Sequence, residues 1–229
     1  MQQGHRLIWN EQTLWLSPER LLFWEEQQTL VVSDIHFGKS GHFRKEGIAI
    51  PQEVFREDLR RLFTQVHFYR AHRLLITGDF FHSRMNREAE LFEKWRRDHS
   101  LLTIHLVQGN HDILPAEWFQ EQNIELHTYQ YKQGPFRFVH EWDGTDAADE
   151  NPFYTFSGHL HPGIRIEGVG KQSLRFPCFY FSKHYAVLPA FGRFTGLHLV
   201  KPGRADRVFA IADRQVLEMP VGNSRTMRK

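Results

Sequence analysis

Short polar motifs rich in acidic, amide and imidazole side chains recur along the chain, and each of them directly follows an apolar run. Four motifs are compact, at residues 34–36 (DIH), 78–82 (GDFFH), 109–112 (GNHD) and 158–161 (GHLH), and the fifth is the single residue His140. Six of the fifteen histidines lie in them. Because histidine is the commonest metal ligand and a frequent general acid, this distribution indicates metal binding or proton transfer.

The donor types in these motifs point to divalent metal ions. Carboxylate, imidazole and amide oxygen form a hard-to-borderline set that suits Mn²⁺, Fe or Zn²⁺ better than Ca²⁺ or Cu(I). Seven candidate ligands are too many for one ion and enough for two ions that share a carboxylate. Two ions about 3.5–4 Å apart are the usual arrangement for in-line displacement at phosphorus.

Glycine precedes three of these ligands, namely Asp79, Asn110 and His159. A glycine permits backbone conformations that other residues avoid and lets the chain approach a neighbour closely. We therefore expect tight turns at these positions and close approach of the backbone to an anion.

The elements that position the motifs follow from the apolar patterns. Alternating strand and helix patterns in the first half favour a largely parallel sheet with right-handed crossovers. A polar tetrapeptide between the first two apolar runs predicts a hairpin. The stretch that Pro51 opens, with apolar residues from Phe55 to Val66, predicts an amphipathic helix. The predicted strands are residues 21–24, 29–33, 73–77 and 103–107, and a second predicted helix is residues 87–99.

Beyond Pro115, short segments separated by glycine and proline predict a second, more antiparallel sheet. In an open α/β sheet the ligand crevice lies outside the carboxyl ends of the strands, which is where the motifs fall. We expect a single domain over residues 1–229, with a frayed polar tail at about 222–229. The segments of the second sheet are residues 136–140, 154–157, 164–167, 174–181 and 185–188.

The composition limits the classes of protein to which this chain can belong. Hydrophobic residues make up 41% and charged residues 24% of the 229 residues, which argues against disorder, collagen-like repeats and a coiled coil. The net charge of +2 is too small to indicate nucleic-acid or membrane binding by itself. Cys178 is the only cysteine, so no internal disulfide can form, and no stretch approaches the roughly 20 apolar residues that span a bilayer. We expect a cytoplasmic protein with no membrane contact.

Taken in order, the five motifs resemble those of the calcineurin-like metallophosphoesterase superfamily over residues 34–161. The resemblance implies an α/β fold of two sheets in an α/β/β/α sandwich. It also implies two divalent metal ions, with Mn²⁺ expected and Fe or Zn²⁺ as alternatives. One ion would be held by Asp34, His36, Asp79 and His161, and the other by Asp79, Asn110, His140 and His159. Asp79 would bridge the two.

The third motif contributes the candidate catalytic pair His111 and Asp112. A carboxylate beside an imidazole can orient the ring and keep it cationic. The resemblance implies that His111 stabilises the transition state and protonates the leaving oxygen, with Asp112 as its partner. His82 stands three residues after Asp79, and we expect it to support a metal ligand rather than to bind the metal.

A narrower resemblance extends over most of the chain. It is carried by residues 33–39 (SDIHFGK), Phe43, Arg44, Gly47, 78–83 (GDFFHS) and 188–196 (LPAFGRFTG). These look like the ligase-associated DNA damage response endonucleases, bacterial enzymes found beside a helicase and a DNA ligase. The resemblance implies Mn²⁺-dependent cleavage of DNA phosphodiester bonds in DNA repair, with those two proteins as partners. We expect Lys39 and Arg44, in the loop after the first motif, to contact the DNA backbone.

Two other functions stay open. The same metals could hydrolyse a phosphoester of a small nucleotide or a phosphoprotein, and a chain that kept the fold without turnover could act as a scaffold in a repair complex. The complete ligand set argues against the scaffold. The acidic segment 143–150 would repel DNA if it covered the site, so we expect it to fold away from the metals or to gate them.

Overall fold

The structure is a computed structural model that describes residues 4–38, 53–82, 87–144, 153–167, 173–193 and 195–220. Its strands form two β-sheets that pack face to face, and the described helices pack on the first of them. The two-sheet α/β sandwich expected from the sequence is confirmed. The extent of the domain stays a prediction, and the tail predicted at 222–229 lies outside the described residues.

The first sheet has seven strands whose spatial order follows their order along the chain. The first four pair antiparallel, and the fourth to the seventh pair parallel. The predicted hairpin and the predicted parallel strands are therefore confirmed. The strands are β1 (His5–Trp9), β2 (Gln12–Ser17), β3 (Leu21–Trp24), β4 (Thr29–Val32), β5 (Arg73–Thr77), β6 (Thr103–Val107) and β7 (Ile124–His127).

The helices connect the parallel strands and bury their apolar faces on this sheet. They are α1 (Glu53–Tyr69), α2 (Arg87–Asp98) and α3 (Ala116–Glu121). Leu62 of α1, Phe92 of α2 and Phe119 of α3 are completely buried in one core with strand residues such as Leu74 and Ile76. Burial of apolar surface contributes roughly 25 cal/mol per Å², so this core holds the strand ends rigidly in place. None of the helices in the described segments is long and apolar enough to cross a membrane.

The second sheet is mixed. Strand β10 at its centre has parallel neighbours on both sides, β9 and β13, whereas most of the flanking pairs are antiparallel. The expected antiparallel character therefore applies to the flanks rather than to the centre. The strands are β8 (Gln130–Gln133), β9 (Phe136–Val139), β10 (Tyr154–Ser157), β11 (Pro162–Glu167), β12 (Ser173–Phe181), β13 (Tyr185–Val187), β14 (His198–Leu199), β15 (Arg207–Ala212) and β16 (Gln215–Met219).

An aromatic core joins the two sheets, and one short pairing ties them at the end of β4. Phe156, Phe179 and Phe181 of the second sheet are completely buried against the first. Ser33, directly after β4, forms a parallel bridge with Ala190, which follows β13. This bridge places the carboxyl end of β4 beside the carboxyl ends of the second sheet's parallel strands.

Candidate metal centre

The carboxyl ends of neighbouring parallel strands bring the predicted motifs together. Asp34 and His36 follow β4, Asp79 follows β5, and Asn110 follows β6. His140 follows β9, and the segment 158–161 follows its neighbour β10, with the Gly158 amide donating to the His140 carbonyl oxygen at 2.9 Å. All seven predicted ligands thus lie at one junction of the two sheets.

Three of the ligands form a first group around Asp34. Asp34, His36 and His161 each present one ligand atom within 4.8 Å of the others. Nε2 of His161 lies 3.3 Å from Oδ1 of Asp34 and 3.4 Å from Nε2 of His36. Two imidazole nitrogens and a carboxylate oxygen therefore converge on one point.

A second group lies beside it and consists of Asp79, His140 and His159. Nε2 of His140 lies 3.5 Å from Oδ1 of Asp79 and 3.1 Å from Nδ1 of His159. Oδ1 of Asn110 lies 2.9 Å from the same Nε2, which adds the predicted amide ligand to this group.

Asp79 stands between the two groups. Its Oδ1 faces His140, and its Oδ2 lies 3.8 Å from Nε2 of His36 in the first group. The carboxylate is 2% exposed, so its charge has no access to bulk water that could stabilise it. One buried carboxylate thus offers one oxygen to each group, which is the arrangement that a bridging ligand requires.

The hydrogen bonds of His140 show that the second group fits a cation. Nδ1 of His140 lies 3.2 Å from the carbonyl oxygen of Thr77, which can only accept, so Nδ1 carries the proton. In the neutral ring Nε2 then presents a lone pair towards two oxygens, those of Asn110 and Asp79. Acceptors that converge in this way repel one another, and a divalent cation bound between them would satisfy all three.

The first group has its own supports. Asp34 is completely buried, and its Oδ2 accepts hydrogen bonds from the hydroxyl of Ser33 and, at 3.0 Å, from the amide of His159. Burial opposes the charged form of the carboxylate and raises its pKa. This effect is outweighed by His161, through its hydrogen bond and its charge, and by the hydrogen bond from Ser33. The pKa of Asp34 therefore lies below its ordinary value.

The backbone at the ligands adopts an uncommon conformation. Five of the seven have a positive φ, between 50° and 64°, and none of these five is a glycine. A non-glycine residue in a sparsely populated region of this kind costs of order 1–3 kcal/mol, and such residues cluster at functional sites. The residues are Asp34, His36, Asp79, His159 and His161.

Comparison with known proteins agrees with this geometry. Residues 28–200 match the family model of the calcineurin-like phosphoesterases. The chain belongs to the calcineurin-like phosphoesterase family. This family membership confirms the first resemblance seen in the sequence, and it makes the chain a metal-dependent phosphoesterase that binds divalent metal ions.

Among solved structures, this phosphoesterase is similar to the nuclease MPE of Pseudomonas putida. The two share 28% sequence identity and a TM-score of 0.75, with 94% of this chain and 99% of that chain covered. It is also similar to Yfce, a phosphoesterase from E. coli, with 15% identity, a TM-score of 0.42, and 83% of this chain and 97% of that chain covered. No curated protein matches the chain.

Two further histidines of the phosphoesterase lie beside the first group. The ring centroids of His82 and His111 are 4.1 Å apart, and the ring of His36 lies 5.4 Å from the first and 5.6 Å from the second. The amide of His111 donates to Oδ1 of Asp79 at 3.0 Å, which fixes the third motif against the second. His82 therefore packs on the candidate general acid as well as on a ligand.

The carboxylate of Asp112 accepts hydrogen bonds that the sequence interpretation did not predict. Its Oδ1 accepts hydrogen bonds from the amides of Phe80 and Phe81 at 2.8 and 2.9 Å, and its Oδ2 accepts one from Gly109 at 2.9 Å. None of its hydrogen bonds in the described part of the chain reaches the imidazole of His111. Burial raises the pKa of Asp112 to about 6, although the three amides favour its charged form. Asp112 therefore ties the second motif to the third, and its role as the partner of His111 stays a prediction.

Three predicted features lie wholly or partly outside the described residues. Lys39 and Arg44 are outside them, and so are residues 145–150 of the acidic segment. Asp143 is described and exposed, and it follows Trp142, whose ring stacks on Tyr185 at 3.8 Å.

Glu141 was missed by the sequence interpretation. Its Oε2 lies 3.8 Å from Nε2 of His159, and its side chain is 67% exposed. Its position directly after His140 is the one signal in the sequence that could have identified it. An exposed carboxylate at this place can orient the exposed edge of the second group.

Proposed function

We propose that this phosphoesterase is a two-metal phosphodiesterase that cleaves DNA. The observation that carries the proposal is the position of Asp79, whose two oxygens face two separate ligand groups. When bound, two divalent ions would supply an activated water and neutralise the charge of the phosphoryl group. The ligands would be Asp34, His36, Asp79 and His161 for one ion and Asp79, Asn110, His140 and His159 for the other, with Mn²⁺ as the proposed metal.

The choice of DNA rests on two supports. The similarity to nuclease MPE covers nearly the whole of both chains, which favours a nucleic acid over a small phosphoester. The motifs around residues 33–47 and 188–196 favour a DNA endonuclease among the nucleases. The assignment to DNA repair beside a helicase and a DNA ligase rests on these sequence motifs alone.

His111 is the residue that we assign to proton transfer. Its backbone amide donates to Oδ1 of Asp79, and its imidazole lies beside His36 of the first group, with the ring centroids 5.6 Å apart. A protonated imidazole there can stabilise charge on the phosphoryl oxygens and give its proton to the departing sugar oxygen. The ring of His82, tilted by 40° with its centroid 4.1 Å away, limits the orientations open to the His111 ring.

The test compares three substrates with Mn²⁺ present: circular single-stranded DNA, bis-(p-nitrophenyl) phosphate and p-nitrophenyl phosphate. We expect cleavage of DNA and of the diester, with the monoester far slower. Asp79→Asn is the matched negative control, because it keeps the shape of the side chain and removes the charge. Preference for the monoester would replace the DNA proposal with a small-molecule phosphatase. No turnover of any substrate by metal-loaded protein would favour the scaffold.

A further inference from the structure

A third group of metal-binding side chains lies away from the strand ends. His105 of β6 and Glu125 and His127 of β7 present ligand atoms within 4.8 Å of one another. None of them belongs to either group at the candidate centre, and the five sequence motifs do not include them.

The distances within this group match a single ion. Nδ1 of His105 lies 3.1 Å from Nε2 of His127 and 3.4 Å from Oε2 of Glu125, and Nε2 of His127 lies 3.5 Å from Oε1 of Glu125. These distances involve the two ring nitrogens and both carboxylate oxygens. Separations of 3.1–3.5 Å are those of ligand atoms that each lie about 2 Å from one shared ion, which is the length of zinc–nitrogen and zinc–oxygen bonds.

The strand register produces this convergence. β6 and β7 pair parallel with His105 opposite Glu125, and His127 lies two residues further on the same face. The amide of Gln108 donates to the His127 carbonyl oxygen at 2.8 Å, so the pairing continues past the end of β6. The backbone thus fixes all three side chains on one face of the sheet.

Tyr131 of β8 fixes the two imidazoles from the other sheet. Its ring centroid lies 4.7 Å from that of His105 and 4.7 Å from that of His127. His105 is buried, whereas the side chain of Glu125 is 62% exposed. The group is therefore rigid on its inner side and open to solvent at the carboxylate, where an ion can enter.

One neighbouring charge opposes a cation. Arg73 lies on β5, next to β6, but its guanidinium donates to Oε1 of Gln133 at 2.8 Å. Glu125 supplies a negative charge within the group itself, which offsets this repulsion.

We propose that His105, Glu125 and His127 bind one Zn²⁺ ion that is separate from the catalytic metals. Two imidazoles and one carboxylate are a known protein ligand set for zinc and leave the fourth position to water. The ion joins β7, the edge strand of the first sheet, to β6 by side chains as well as by backbone hydrogen bonds.

The experiment counts zinc ions per chain. Chelator-treated wild type, Glu125→Gln and His127→Gln are titrated with Zn²⁺ in a calorimeter, and their zinc content is measured after gel filtration. We expect each variant to retain one ion fewer than wild type. The affinity of that site for Zn²⁺ should fall by more than roughly 10- to 100-fold, because that is the loss expected when only a residue hydrogen-bonded to a ligand is removed.

His67→Gln is the matched control. Nε2 of His67 lies 3.3 Å from Nε2 of His99, so the pair resembles His105 and His127, but in the described residues no carboxylate completes a metal-binding group there. This variant should keep the zinc content of wild type. Equal zinc content in wild type, Glu125→Gln and His127→Gln would overturn the proposal, and so would an equal loss in the control. Circular dichroism of the zinc-free proteins separates loss of a ligand from loss of the fold.

The outcome is independent of the proposed function. The substitutions leave all seven proposed catalytic ligands in place, so DNA cleavage with Mn²⁺ reports on that proposal separately. The predicted difference of one zinc ion holds whatever number of ions the catalytic centre retains.

Discussion

Gly109 packs so closely against Asp79 that a β-carbon at residue 109 would lie 2.3 Å from Oδ1 of Asp79. Gly158 has the same relationship to Asp34, with its β-carbon position 2.6 Å from Oδ2. The sequence predicts close approach of these glycines to an anion, and in the structure the anion is a carboxylate of the protein itself. Each glycine therefore lets its own loop approach the carboxylate of a different loop, Asp79 for Gly109 and Asp34 for Gly158.

Gly109→Ala should therefore displace the carboxylate of Asp79, the proposed bridging ligand. The added methyl group would also lie 2.4 Å from the Asp79 amide nitrogen, so neither the side chain nor the backbone can move aside freely. We expect lower Mn²⁺ content and at least about tenfold lower activity, with a loss of about 1–3 kcal/mol in the free energy of unfolding. Gly196→Ala is the control, because a β-carbon there meets nothing within 4 Å. Wild-type metal content in Gly109→Ala would contradict the packing argument.

Asp79→Asn and Asp79→Ala should be the most damaging ligand substitutions. Each removes the negative charge between the two groups, whereas Asn110→Ala or His161→Ala affects one group only. We expect both Asp79 variants to lose both divalent ions, as measured by elemental analysis after dialysis. His161→Ala should keep the ion of the second group. An Asp79 variant that retained two ions would show that Asp79 does not bridge.

The local sequence predicts much of the framework. The bounds of β5 and β6 agree with the apolar runs 73–77 and 103–107, and the hairpin of β3 and β4 agrees with its polar turn. These elements could be predicted because alternating strands and amphipathic helices leave periodic patterns within a few residues. Placement of the motifs at the strand ends then follows from the topology of parallel sheets.

The partners of individual side chains could not be predicted in this way. The carboxylate of Asp112 accepts from Phe80 and Phe81, which lie more than 30 residues earlier, and no local pattern encodes that pairing. The group of His105, Glu125 and His127 likewise depends on the register between two strands. Positive φ at Asp34 or His36 is imposed by the surrounding fold against local preference.

Asp112→Asn tests whether Asp112 acts through the backbone amides or through His111. An asparagine presents one NH₂ group towards backbone amides that also donate, so at least one buried amide loses its acceptor. We expect a loss of about 1–3 kcal/mol in the free energy of unfolding, together with reduced metal content. Asp98→Asn at the exposed end of α2 is the control. If Asp112→Asn instead kept its metals and stability, and its activity fell mainly with poor leaving groups, Asp112 would act through His111 after all.

The Lys39→Ala and Arg44→Ala double variant tests recognition of DNA. If both side chains bind backbone phosphates, cleavage of DNA should weaken and depend less steeply on salt concentration. Hydrolysis of bis-(p-nitrophenyl) phosphate should stay close to wild type, because that substrate is too small to reach a second phosphate contact. An equal loss on both substrates would place the two residues at the catalytic centre.

Neutralising the acidic segment tests whether it gates the site. Asp143→Asn, Asp146→Asn and Asp149→Asn together should raise the rate on DNA if the segment repels the phosphate backbone. The rate on bis-(p-nitrophenyl) phosphate is the control and should change less. A sharp loss of activity with lower metal content would mean that these carboxylates support the centre.

His111→Ala separates proton transfer from metal binding. The contact of residue 111 with Asp79 is made by its backbone amide, which alanine retains, so the variant should keep both ions. Its activity on DNA should fall by about 10²–10⁴, the usual contribution of a general acid. A nitrophenolate leaves readily without a proton, whereas a sugar alkoxide does not, so the loss on bis-(p-nitrophenyl) phosphate should be smaller.

His82→Ala should show the same dependence on leaving group in weaker form, because it removes the ring that packs on His111 at 4.1 Å. Loss of metal from His111→Ala, or an equal defect on both substrates, would remove His111 from the role of general acid.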